Sequence, residues 1–204
     1  MGTFLMMSGI AAADISEVEN ALREYAVQNG GSLKLLPSDE ESGEILLIAK
    51  SGEGNVTVLY PDSYVGWHEA SEYLSRSLEK PVLSLHVHDG DLWMYVLLVD
   101  GREVDRFNPI PDYWQEQSEE ENLTWAGSAQ TMAKYWPNVQ PDQIENYLIR
   151  WDPEDEEAAK AYPTDEFGAG EDWQITDFMA KVGLLYPIDD NGRSIGSKFD
   201  FKVK

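Results

Sequence analysis

Between residues 15 and 29 apolar side chains recur at helical intervals. Ile15, Val18, Leu22, Tyr25 and Ala26 share one face, with Asp14 or Ser16 placed to cap the start. Asn29-Gly30-Gly31 ends the segment. Residues 32–36, 44–50 and 55–60 then read as strands. The last two are joined through Ser51-Gly52-Glu53-Gly54 into a hairpin. The same order returns further on. Residues 66–79 put Trp67, Ala70, Tyr73, Leu74 and Leu78 on one helical face before Lys80-Pro81. Residues 82–88, 92–99 and 102–107 form three more strand-like runs, punctuated by His88-Asp89-Gly90-Asp91 and Asp100-Gly101.

This pattern predicts an α+β fold: a duplicated α-β-β-β unit over residues 14–114, forming an antiparallel sheet with two helices on one face. Residues 1–13, mildly apolar and ahead of the first periodic segment, are expected to be a loose leader. No Lys or Arg precedes their short apolar stretch, so they do not read as a signal peptide.

Residues 115–204 change character and read as an acidic helical region packed on or beside the sheet. Helices are expected at 124–135, 141–151 and 172–182. Residues 152–162 either continue as a polar helix or break at Pro153, and residues 198–203 form a late strand. Residues 115–122 (QEQSEEEN) read as a linker or a helix start.

Charge then narrows the functional classes. The chain has 15 Lys and Arg against 38 Asp and Glu, a net charge of −23. That sign opposes nucleic-acid binding by phosphate neutralisation, and it opposes docking on an anionic membrane. The acid is concentrated between residues 116 and 177. The last twelve residues carry Arg193, Lys198, Lys202 and Lys204 against Asp200, and this basic tail is expected to fold back onto the acidic helices. There are no cysteines, which removes disulfides and thiolate chemistry and fits a cytoplasmic location. No apolar run approaches the roughly 18 residues of a membrane span.

Two stretches carry candidate chemistry. In LSLHVHDGDLW, His86 and His88 are two apart on a strand and therefore share a face. With Asp105 from the neighbouring hairpin they form a candidate site for a divalent metal such as Zn²⁺ or Fe²⁺, the only cofactor the sequence brings forward. The competing reading is the polar side of a half-buried sheet. The second stretch is aromatic and proline-rich. Tyr113, Trp114 and Trp136 are the candidates for a recognition surface, the remaining aromatics being assigned to the core.

No nucleophile elbow, P-loop or dinucleotide fingerprint is present. The expected function is therefore a non-enzymatic acidic protein that binds a basic protein partner, in the manner of an immunity or inhibitor protein. The alternative is a metal-dependent hydrolase or small-ligand-binding protein working through His86, His88 and Asp105. A third reading places the aromatics between protomers of an oligomer.

Overall fold

The structure is a computed structural model that describes residues 2–38, 44–152 and 159–204. It is a mixed α+β fold: an eight-stranded antiparallel sheet and five α-helices among the described residues. The strands are β1 (Leu5–Ile10), β2 (Ser32–Leu35), β3 (Ile45–Lys50), β4 (Val56–Leu59), β5 (Val82–His88), β6 (Leu92–Val99), β7 (Arg102–Phe107) and β8 (Ser197–Lys202). They lie side by side in the order β2-β8-β3-β4-β1-β5-β6-β7.

All six strands anticipated from periodicity within residues 14–114 form. The expectation of a loose leader does not survive, because Leu5–Ile10 is β1, paired to β4 on one side and β5 on the other. Every residue of β1 is buried. A strand covered on both faces has no polar side, so it reads as a short apolar run and carries no alternating signal.

The basic tail is a second correction. It does not return to the acidic helices, because β8 inserts between β2 and β3 and pairs antiparallel with both. The first helix-strand-strand-strand segment is therefore split in the sheet, whereas β5, β6 and β7 run as a sequential meander.

α1 (Ile15–Gln28) and α2 (Trp67–Leu78) pack on one face. Val18, Leu22, Ala70 and Leu74 meet Met6, Ile10, Val58 and Phe199 there. At the α1 N-terminus the Glu17 carboxylate accepts the Asp14 backbone N–H at 3.1 Å, so of the two expected caps it is Asp14 that is used. A chain of buried hydroxyls joins β4 and β1 to α2. Ser71 Oγ donates to the Trp67 carbonyl at 2.8 Å, which leaves Ser8 Oγ to donate to Ser71 (2.7 Å) and Tyr60 to donate to Ser8 (2.8 Å).

The opposite face is covered by the C-terminal half. Met132, Trp136, Ile144, Tyr147, Phe178 and Met179 pack against Met7, Leu85, Trp93, Tyr95 and Leu97. The helices of this half are short: α3 (Glu119–Leu123), α4 (Ala129–Tyr135) and α5 (Gln174–Lys181). The helix expected at 141–151 is instead two 3₁₀ turns, Pro141–Gln143 and Glu145–Tyr147, which still bury Ile144 and Tyr147. Most of the segment around Pro153 lies outside the described residues. No described helix is long and apolar enough to cross a membrane.

β1 also shows how tightly the layers meet. At Gly9 a Cβ would fall 2.2 Å from Cδ1 of Leu184, so the C-terminal half packs directly on the backbone there.

A chain lacking residues 2–10 is expected to lose its cooperative unfolding transition, whereas removal of a true leader would leave it unchanged. Met7→Ala, at a fully buried position, should cost about 2–4 kcal/mol in chemical denaturation.

Candidate functional site

His86 and His88 both project from β5 on the side of the sheet that carries α2. His86 is 7% exposed, and its ring stacks on Trp67 with centroids 4.5 Å apart at 21°. Leu85, between the two, faces the other layer. The sequence expectation of a shared face for the two histidines is thus realised.

Asp105 is not with them. Its Oδ2 accepts the Tyr95 hydroxyl at 2.7 Å and the Ser128 backbone N–H at 3.1 Å, within the layer formed by the C-terminal half. Tyr95 in turn stacks on Phe178 of α5 at 5.5 Å. Asp105 is therefore a tie between β6 and the start of α4. Burial raises its carboxyl above the usual range, against the lowering effect of these hydrogen bonds. Among the described residues no group of three or more His, Cys, Asp or Glu is placed to hold a metal ion. The structure separates the His86, His88 and Asp105 set across the sheet.

What the two histidines do meet is the aromatic loop. Trp114 Nε1 lies 3.3 Å from His88 Nε2, His88 Nδ1 lies 3.3 Å from His86 Nε2, and His86 Nδ1 lies 3.0 Å from the Leu5 carbonyl of β1. The two ends of this chain fix every proton in it. A carbonyl only accepts, so His86 carries its proton on Nδ1. An indole N–H only donates, so His88 presents a bare Nε2 to Trp114 and carries its proton on Nδ1. The result is a one-way relay, Trp114 to His88 to His86 to Leu5, in which each imidazole donates from Nδ1 and accepts at Nε2.

A further proton on His86 would have to sit on Nε2, where it meets the His88 N–H. Burial accordingly holds His86 down at a pKa of about 4, opposed by its hydrogen bond to Leu5.

Rings close around His88 on three sides. Phe4, Trp114 and Tyr113 lie 5.2, 5.0 and 5.6 Å from it, each near perpendicular. The Tyr113 hydroxyl donates to Asp91 in the β5–β6 turn. That bond and the charges of Asp91 and Asp89 hold its phenol above the usual range. Trp114 remains 53% exposed. The sequence presents Tyr113 and Trp114 as one candidate and the histidines as another; folding brings them into contact.

Trp136, the third recognition candidate, is core instead. It is 1% exposed and donates its indole N–H to the Val182 carbonyl at 2.8 Å. Sequence reasoning missed Phe4, which lay in the supposed leader, and the site role of Trp67, which read only as part of the apolar face of α2. Beside His86 a cavity of about 220 Å³ opens between Trp67 and Trp125, over Met94 and Val96, with His68, Ser84 and Glu103 as polar lining. His68 sits within 3.4 Å of Ser84 and 3.5 Å of Glu72.

No family model matches the sequence, and neither a curated protein nor a solved structure matches it at a significant level.

Two measurements check this geometry. Histidine ¹⁵N NMR should show both His86 and His88 as Nδ1–H tautomers at neutral pH, and an Nε2–H signal from His88 would break the relay. The second is linkage. Folding lowers the His86 pKa from 6.5 to about 4, so between those values the unfolded chain holds more protons and stability falls as pH falls. The contribution of His86 is whole above the unfolded pKa and is lost by the folded pKa. Subtracting the pH–stability profile of His86→Leu from that of the wild type should isolate a loss on the order of 3 kcal/mol across this window.

Proposed function

We propose that this chain is a non-enzymatic binding protein that holds a basic protein partner against its acidic surface, as an immunity or inhibitor protein holds its effector. The observation that carries this reading is Trp114. Its ring is half exposed, yet it is pinned by the hydrogen bond to His88 and by edge contacts with His88 and Tyr113. An exposed aromatic already fixed in place loses little freedom when a partner covers it, which is the property of an interface anchor. Beside its neighbour Tyr113 stand Asp89 and Asp91, on a chain whose net charge of −23 steers basic proteins and repels anions. The doubled helix-strand-strand-strand order fits descent from a duplicated unit, with β1 joining the two halves into one sheet and β8 inserted within the first.

A second reading rests on the cavity beside His86. Its Trp67 and Trp125 walls and its few polar groups have the make-up of a small-ligand pocket. A metal-dependent hydrolase is not carried by the same observation, because Asp105 faces the other layer.

The experiment that separates the readings is affinity capture from the native lysate with wild type and Trp114→Ala in parallel, at low and high salt. The partner reading expects one basic protein that is retained at low salt, released as salt rises, and held at least about tenfold more weakly by the variant, as for an aromatic hot spot. Retention that ignores both salt and Trp114 would remove it. A small aromatic compound whose thermal stabilisation is lost in Trp67→Leu would move the assignment to the cavity.

A further inference from the structure

The outer side of α5 and the segment 184–190 enclose a groove of about 480 Å³. Its walls are apolar and aromatic, formed chiefly by Phe167, Trp173, Leu185 and Tyr186, with the Trp173 and Tyr186 rings 5.5 Å apart at 80°. Leu185 is 37% exposed. Glu166, Asp189 and Asp190 also line it, and no Lys or Arg does.

These carboxylates are not equally engaged. Asp189 Oδ1 already accepts the backbone N–H groups of Asn191 and Arg193. The Glu166 and Asp190 carboxylates have no hydrogen bond or ion pair among the described residues. Aromatic faces beside unpaired carboxylates are complementary to a guanidinium, which stacks flat on a ring while its edge donates to oxygen. A hydrophobic segment without charge would leave both carboxylates to be desolvated against nothing.

The start of α5 also approaches the β5–β6 turn. Asp172, next to Trp173 in sequence, lies against the Gly90 turn, where a Cβ would sit 3.8 Å from its Oδ2. The same turn carries Asp91, the acceptor of Tyr113.

We propose that this groove receives an arginine-bearing segment of the basic partner, a placement that rests on the partner reading above. The guanidinium stacks on Trp173 beside the near-perpendicular Tyr186 ring and is held by Glu166 and Asp190.

The test uses the full chain and a blocked tetra-arginine peptide, followed by ¹H–¹⁵N NMR of the tryptophan indoles, with Trp173 assigned through Trp173→Phe. The Trp173 indole is expected to shift on titration, with affinity falling as salt rises. The surface variant Glu166→Gln/Asp190→Asn should bind about threefold to tenfold more weakly with an unchanged melting temperature. The citrulline tetrapeptide, equal in shape and uncharged, should not shift Trp173. Equal binding by citrulline, unchanged binding by the double variant, or a shift confined to the Trp125 indole beside Glu119 and Leu123 would each overturn the proposal. If the arginine peptide moves only Trp114, the groove assignment fails while the partner reading stands. If it moves Trp173 but no Trp114-dependent partner exists, the groove assignment stands and the partner reading fails.

Discussion

β1 gives its backbone hydrogen bonds to β4 on one side and β5 on the other, and its side chains alternate between two cores. Met6 and Ile10 belong to the layer of α1 and α2, and Leu5 and Met7 to the layer of the C-terminal half. A strand in this position has nowhere to be solvated, so both layers must be present for it to be stable. It is also the element to which the candidate site is anchored. The Leu5 carbonyl terminates the histidine relay, and the Ser8 hydroxyl joins the chain that reaches the Trp67 turn of α2.

The relay explains why two closely spaced histidines need not form a metal site here. A metal requires bare ring nitrogens directed at a common point. In this structure each imidazole uses one nitrogen as donor and the other as acceptor, and the direction is imposed from outside by a carbonyl and an indole. Burial of His86 adds to this by disfavouring charge. The relay instead holds the half-exposed Trp114 ring in place at the surface.

The charge of the chain acts at two ranges. The overall excess of acid sets which macromolecules approach, as a field that salt can screen. Specific acids do structural work at short range: Asp165 accepts from Tyr147 and the Tyr162 backbone beside Lys181, and Asp177 receives the backbone N–H groups of Glu166 and Phe167. Carboxylates left out of such ties, as at Glu166 and Asp190, keep their oxygens open to solvent. Counting acids in the sequence does not distinguish these roles.

Period-two and period-3.6 patterns made α1, α2 and the six strands within residues 14–114 legible, because each is buried on one side or bounded by turn residues whose effect is local. The acid excess, the same-face pairing of His86 with His88 and the candidacy of Tyr113 and Trp114 were legible for the same reason. The place of β1 at the centre, the insertion of β8 between β2 and β3, the separation of Asp105 from the histidines and the burial of Trp136 were decided only by tertiary structure. Each depends on partners far away in the chain, such as Leu5 with His86 or Trp136 with Val182. A strand buried on both faces, or an aromatic whose only polar partner is a distant carbonyl, leaves no periodic trace in its own neighbourhood.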